Sequence, residues 1–350
     1  MSEHSLFRRV IAGESGLWAA PLRGVLRLGE LLYAGGVAIR NARYTRSGPK
    51  YVAPVPVISV GNLTVGGTGK TPFVIHVVNR LEGMGRNPAV VSRGYGAGND
   101  TENDEERLIR KRCPSVTFVS DPNRALAAET AHRRFGADVI VLDDGFQHRR
   151  LGRTMDIVLI DATCPFGYAH LLPRGLLREP LTSLRRAHAV VLTRCDQVSQ
   201  SQLANIESKV RSVARDAVQL RCSHRVIGVE RLDGTPIPEA TEGKRAVVFG
   251  GIGRPQAFAT TVRSLGIDVV GRRWWPDHHH YRRRDVEWLM AIGRFPSHDL
   301  LLTTEKDAVK LATLEGIDRT RIGVVRIAIE FADDGDTILK NMLSDVLKQG

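Results

Sequence analysis

The sequence predicts an α/β fold: a P-loop NTPase-like domain with a mostly parallel sheet, joined by a two-stranded linker to a second, smaller α/β domain. Three observations predict it. Short apolar, β-branched runs alternate with helix-like segments, the rhythm of a doubly wound sheet. Each run ends in polar or acidic residues, as strands do where they deliver functional groups to a crevice. One run, Val55 to Val60, leads into a glycine loop and then a second apolar stretch, Phe73 to Val78.

The chain's 350 residues exceed one average domain, which sets two domains as the prior. A hydrophobic content of 42% supplies real cores, and 25% charged residues exclude wholesale disorder. The formal charge of +12, mostly arginine, calls for an anionic partner. Cys113, Cys164, Cys195 and Cys222 are scattered without CxxC spacing, which points to a reduced, cytosolic setting and no zinc site. The expected division is an N-terminal helical segment at 1–45, a P-loop core at 46–222, a linker at 223–245 and a second α/β domain at 246–350.

The first element is an amphipathic helix. From Leu17 to Ile39 the chain is rich in Leu, Val and Ala, but Arg23, Arg27 and Glu30 recur at helical spacing and share one face. Leu22, Val25, Leu26 and Leu32 lie mostly on the other. The longest charge-free stretch, Leu31 to Ile39, has nine residues, whereas a spanning helix needs about 20. Two readings fit the pattern. The helix lies in the plane of a membrane surface, with Trp18 and Tyr33 as interfacial aromatics and Arg8, Arg9, Arg40 and Arg43 toward anionic head groups. Or it packs on the catalytic domain.

The glycine loop, Thr64-Val65-Gly66-Gly67-Thr68-Gly69-Lys70-Thr71, has strand before and helix after, which is the layout of a P-loop. Gly66, Gly67, Thr68 and Gly69 let the backbone wrap a phosphate and aim its N–H groups inward. The helix that follows adds its positive dipole end. Lys70 reaches the β- and γ-phosphates and the Thr71 hydroxyl ligates magnesium, so ATP and Mg2+ are the implied cofactors. Thr64 stands where the strict pattern has its first glycine.

Further strands follow. Ala89 to Val91 leads into Ser92-Arg93-Gly94-Tyr95, and the acidic stretch Asp100 to Glu106 reads as a solvated loop near the crevice. A helix covers Arg124 to Arg134. Val139 to Leu142 ends in Asp143-Asp144, where P-loop enzymes keep the acid that holds magnesium. Gln147-His148-Arg149-Arg150 continues that wall. Ile157 to Ile160 ends at Asp161. Ala189 to Leu192 ends at Thr193-Arg194-Cys195-Asp196, in the place where GTPases carry Asn-Lys-x-Asp, but without the Asn and Lys that read guanine. Around Asp233-Gly234 a hairpin or two-stranded connector is expected. The rhythm then restarts with a strand at Ala246 to Phe249, a helix from about Pro255 and a strand at Leu300 to Leu302. In Trp274-Trp275-Pro276-Asp277-His278-His279-His280-Tyr281, contiguous residues cannot all point into one site. A single histidine paired with a carboxylate makes a general base.

Taken together, the segments Gly61 to Pro72, Ser92 to Tyr95, Leu142 to His148, Leu172 to Pro180, Pro276 to His279 and Thr304 to Lys310 resemble the tetraacyldisaccharide 4′-kinase family of lipid A biosynthesis. The resemblance spans roughly residues 17–311 in order. It implies phosphoryl transfer from MgATP to the 4′-hydroxyl of a tetraacylated glucosamine disaccharide 1-phosphate, giving lipid IVA. It also implies an N-terminal helix seated peripherally on the cytoplasmic face of the inner membrane. A monomer is expected, although the sequence itself does not reveal oligomeric state. By this resemblance Lys70 and the loop amides hold phosphate and Thr71 holds magnesium. Asp143, Asp144 and Glu179 form an acidic metal-side wall, with Arg178 close to the transferred phosphate. A loop aspartate and His278 activate the hydroxyl. That aspartate maps to Asp104, with Asp100 the alternative, although Asn103-Asp104-Glu105-Glu106 lacks the Gly and Pro of the family's Gly-Asp-Glu-Pro.

Two other classes bear on the same features. A metallochaperone-type GTPase would turn over GTP without lipid and has no use for an amphipathic N-terminus. A nucleic-acid binder would exploit the positive charge, but the aromatics, 6% of the chain, are not interleaved with a basic stripe, so no nucleic-acid partner is expected.

Overall fold

The computed structural model describes residues 3–14, 16–94, 103–237, 242–292 and 298–348. Within them the chain runs through α1 (Glu3–Ala12), α2 (Ala20–Ser47), β1 (Val57–Asn62), α3 (Lys70–Gly83), β2 (Pro88–Ser92), α4 (Asp104–Arg112) and β3 (Thr117–Ser120). Next come α5 (Arg124–Phe135), β4 (Val139–Asp143), β5 (Met155–Asp161), β6 (Ala189–Thr193), α6 (Gln200–Val213) and β7 (Val218–Arg231). The remainder is β8 (Arg245–Gly250), α7 (Pro255–Arg263), β9 (Asp268–Trp274), α8 (Arg283–Ile292), β10 (Leu300–Thr304), α9 (Glu305–Leu311), β11 (Ile322–Phe331) and α10 (Gly335–Lys348).

The chain forms two compact units. In the first, parallel strands lie in the order β3-β2-β4-β1-β5-β6-β7. The strand order reverses direction about β1, so the loop after β1 emerges at a topological switch point, where α/β sheets bind ligands. Strands β1, β2, β4, β5 and β6 are buried along their whole length, which is why they read as continuous apolar runs rather than alternating ones. Leu142, Ile140 and Val91 pack with the alanines of α5, while Phe146, Ile160 and Leu192 pack with Leu203, Ile206 and Val210 of α6. Phe73, Val74, Val77, Val78 and Leu81 bury the length of α3.

The second unit repeats the scheme on a smaller scale, with parallel strands β11-β10-β8-β9. Strand β8 alternates as a two-faced strand should: Ala246 and Val248 join one core with Phe258 and Val262, Val247 and Phe249 another with Leu289 and Leu311.

The expected boundaries follow chain order; the units do not. Residues 103–114 group with the second unit, because α4 buries Leu108 and Ile109 and Arg112 pairs with Glu305 at 2.7 Å. Phe331 and α10 group with the first. Leu339 and Leu343 bury one stripe of α10, and Asp336 meets His76 at 3.0 Å and Arg80 on α3. At 223–245 the hairpin is present in its described part: Arg231 N–H donates to Thr235 O and Ile237 N–H to Val229 O, closing the turn at Asp233-Gly234. It lies inside the second unit; β7 carries the chain from the first unit into the second, and β11 carries it back. The stretch read as an acidic loop is, from Asp104, the first turn of α4. Asn103 caps it by accepting from Glu106 N–H at 2.7 Å, and three acids in that turn suit the helix dipole. Asp100 and Tyr95 lie outside the described residues.

Helix α2 is built inside out for a surface helix. Leu32 is 82% exposed, Ile39 74% and Val25 65%, whereas Glu30 is buried. Tyr33 and Arg40, expected at a membrane surface, turn inward instead: Tyr33 hydrogen-bonds the Arg178 carbonyl and Arg40 pairs with Glu179. Trp18 is exposed. Among the described residues no helix is long and apolar enough to cross a membrane.

Candidate active site

The loop after β1 has the conformation its glycines predict. Gly66 and Gly69 adopt φ of +111° and +87°, which other residues reach only under strain. Gly69 also caps α3, so Lys70 and Thr71 are that helix's first two residues and the loop amides meet its positive end. The loop is braced from three sides. Asn62 donates to Thr68 Oγ1 at 2.9 Å. Thr193 donates to the Thr68 carbonyl at 3.0 Å, and Arg194 to the Gly67 carbonyl at 3.1 Å while pairing with Asp161 at 2.6 Å. Val65 N–H bonds Leu176 O at 2.8 Å, and Arg178 N–H bonds Leu63 O at 2.7 Å. The Thr193–Asp196 loop, considered for base contact, therefore gives two residues to supporting the phosphate loop.

Register places the acids. Val60 of β1 pairs with Asp143 of β4, setting Asp143 and Asp144 beside the glycine loop. Asp144 has a left-handed backbone, φ +50°. Arg178 Nη1 holds both its oxygens at 2.8 and 2.9 Å, and Lys70 Nζ lies 3.5 Å from Oδ1. Burial alone would raise the Asp144 pKa, but Lys70, Arg178 and Arg124 bring it down to about 2. Arg124, a buried residue that sequence reasoning does not single out, donates to the Asp144 carbonyl at 3.4 Å. Three cations thus converge on one aspartate, two at its carboxylate and one at its carbonyl, an excess of positive charge suited to a polyphosphate.

Thr71 and Asp143, both buried, supply a hydroxyl and a carboxylate at adjacent element ends. These are hard oxygen donors of the kind magnesium takes alongside phosphate and water, so the residues fit that ion. Glu179 does not join them. It is fully buried, with Arg40 and Asn41 on one side and Arg186 at 2.8 Å on the other. In place of the expected metal-side position, Glu179 sits in a buried ion-pair network in which three donors hold its two oxygens. Gln147 donates to Asn62 O at 2.8 Å, and His148, half-buried near Arg124, Arg153 and Arg150, has its pKa pushed down to about 4.

In the second unit the structure joins Asp104 to His278. Nδ1 of His278 lies 3.2 Å from Asp104 Oδ1. Lys306 Nζ lies 3.2 Å from Nε2 and can only donate, so Nε2 accepts and Nδ1–H points to Asp104. Lys306 also stands within 3.8 Å of Asp104, Glu105 and Asp277. Lys310 pairs with buried Asp307 at 2.9 Å and lies 3.8 Å from Asp104. Burial opposes the Asp104 charge, yet His278, Lys306 and Lys310 hold its carboxyl well below the usual range. The Asp104 hydrogen bond raises the His278 pKa, against burial and Lys306. His279 serves the packing instead, stacking on Trp275 and meeting Asp285 at 2.9 Å. His278 adopts φ +58°, a left-handed backbone uncommon for a residue other than glycine.

A family model described as tetraacyldisaccharide-1-P 4′-kinase matches residues 22–348. The chain belongs to the tetraacyldisaccharide 4′-kinase family. Tetraacyldisaccharide 4′-kinase from Anaeromyxobacter sp. (strain Fw109-5) is 40% identical over 346 residues, covering 92% of this chain and 91% of that protein. The Syntrophus aciditrophicus (strain SB) protein of the same name is 36% identical, with 95% of each covered. The crystal structure of "apo" form LpxK from Aquifex aeolicus in complex with ATP superposes with a TM-score of 0.70 at 28% identity, covering 93% of this chain and 99% of that one. Within the family motif Thr304 to Lys310, the two lysines that flank Asp104 carry the charge balance around His278. The motif alone assigns neither lysine a role, because the partner they balance lies about two hundred positions away.

Proposed function

We propose that this chain transfers the γ-phosphoryl group of ATP to the 4′-hydroxyl of tetraacyldisaccharide 1-phosphate, giving lipid IVA. The carrying observation is the braced glycine loop with Lys70, Arg178 and Asp144 at its mouth, in a member of this family. The amides of Gly66 to Gly69 and the Lys70 ammonium hold the β- and γ-phosphates. Arg178 exchanges its bond to Asp144 for the transferred phosphoryl group. Thr71 and Asp143 would hold magnesium, which when bound would neutralise charge on the phosphates. Asp104 and His278 take the hydroxyl proton, because a sugar hydroxyl is a poor nucleophile until it is deprotonated. In this reading the exposed apolar face of α2 rests on the cytoplasmic face of the inner membrane, where Leu22, Val25, Leu32 and Ile39 enter the interface.

The test is transfer of γ-labelled phosphate from ATP to tetraacyldisaccharide 1-phosphate in detergent micelles, with Lys70→Ala beside the wild type. Labelled lipid from the wild type alone is the expected result. ATP or GTP hydrolysis without labelled lipid overturns the assignment.

A further inference from the structure

The polar face of α2 grips the segment that carries Arg178. Tyr33 Oη donates to the Arg178 carbonyl at 3.0 Å, and Asn41 Nδ2 and Arg40 hold the two oxygens of Glu179, the next residue. Earlier in α2, Glu30 accepts from Leu171 N–H at 2.9 Å and meets His170 at 3.1 Å. A Cβ on Gly29 would stand 3.0 Å from the Pro173 ring, so helix and segment are in close packing there. On its other side the same segment is stitched to the phosphate loop by Val65 N–H to Leu176 O, Arg178 N–H to Leu63 O, and a bridge between Thr64 and Leu177. Residues 170–179 are therefore clamped between α2 and the entrance of the loop.

A helix that served only to rest on a surface would need no such inward set of donors. We propose that Tyr33 and Arg40 are positioning residues for phosphoryl transfer, holding the backbone of Arg178 and Glu179 so that the guanidinium of Arg178 and the first residues of the phosphate loop keep their working geometry. The inference rests on the kinase reading above. It makes α2 part of the catalytic unit: whatever seats its outer face also sets the segment beneath. A displacement near 1 Å at a reacting group can cost about 100-fold in rate. One lost hydrogen bond out of the several in this clamp is expected to cost about 10-fold.

The experiment compares wild type, Tyr33→Phe, Arg40→Gln and Arg40→Lys in full-length protein. Tyr33→Phe removes one hydroxyl and leaves the ring. The expected result is a kcat per folded molecule lowered about 10-fold in Tyr33→Phe, with KM for ATP and Tm unchanged, and a larger loss in Arg40→Gln that Arg40→Lys partly restores. A purely structural role would lower Tm and leave kcat per folded molecule alone, and that outcome overturns the proposal. Amide hydrogen exchange at Val65 and Arg178 supplies a readout independent of the acceptor: Tyr33→Phe should speed exchange at both. Unchanged exchange overturns the proposal even where kcat falls. Absence of lipid product from the wild type overturns the kinase reading instead, and the exchange comparison still decides this one.

Discussion

The phosphate loop of the first unit and the Asp104–His278 cluster of the second are built on opposite principles. The loop takes its geometry from the backbone: two left-handed glycines, a helix N-terminus and carbonyls braced by Thr193 and Arg194. The cluster takes its geometry from side chains that are distant in sequence, Asp104, His278, Lys306 and Lys310, each held by the charge of the others. Backbone amides do not titrate and few substitutions remove them. A side-chain cluster can be retuned by one substitution, because moving one charge moves every pKa around it. The loop should therefore fail abruptly, and the cluster gradually and with pH.

The sharpest break is Lys70→Ala. The ammonium is the one side-chain charge of the glycine motif itself, and its loss leaves Asp144 facing the phosphates with less compensation. We expect kcat to fall by about 10³-fold or more with the fold retained, by analogy with other cations on transferred phosphoryl groups. Retained far-UV dichroism and Tm alongside lost lipid labelling would check it. Asp104→Ala comes next. It removes the partner of His278 Nδ1–H and is expected to lower kcat by about 10²-fold, the low end of general-base contributions. An unchanged kcat would take Asp104 out of that role and weaken the contrast between the two regions.

How legible each region is in the sequence follows the same division. The loop can be read from contiguous residues, since Gly66 through Thr71 with a strand before and a helix after specify one conformation. The strands β1, β2, β4, β5 and β6 are equally plain, because parallel strands buried on both faces are apolar throughout, whereas β9, half-exposed and carrying Arg272 and Arg273, gives no such signal. Arg124 and Arg194 are not legible. Nothing local distinguishes a buried arginine that braces a loop from one on the surface of a helix. Glu179 misleads for a related reason: a carboxylate beside Arg178 looks like a metal ligand until Arg40, nearly 140 positions earlier, is seen to occupy it. The outward apolar face of α2 shows in its spacing, but the sequence puts Tyr33 and Arg40 on the wrong side, because helical periodicity gives faces and not what each face meets. The two units also interleave in the chain, which contiguous boundaries cannot express.

A subtler break is Lys306→Met. Lys306 opposes protonation of His278 and supports the charge on Asp104, so its removal lets the His278 pKa rise further. If neutral His278 is the working form, activity grows as pH rises through that pKa. The acid limb of the kcat/KM profile should then move to higher pH by about one unit, with a loss of about 10-fold on its acid side and little change at high pH. A limb that stays in place would assign Lys306 to packing alone.

The smallest effect concerns the two histidines themselves, which the two regions push in opposite directions. His148 sits near Arg124, Arg153 and Arg150, and burial with those charges brings it to about 4. His278 is raised by Asp104. The signs differ accordingly. A depressed histidine binds fewer protons folded than unfolded, so the first unit's stability is full above the ordinary histidine pKa near 6.5 and declines as pH falls from there toward 4. A raised histidine contributes stability that is present below its unfolded value and lost as pH climbs through its folded one. His148→Asn should therefore shrink the fall in Tm between pH 7 and pH 5 by roughly 2–4 °C, a modest figure because the ring is only partly buried. His278→Asn should not shrink that fall, since the ion pair it removes is strongest over the same range. Matching shifts from both variants would mean that the arginines around His148 and the aspartate beside His278 set the same balance, and the contrast between the two regions would reduce to chain position.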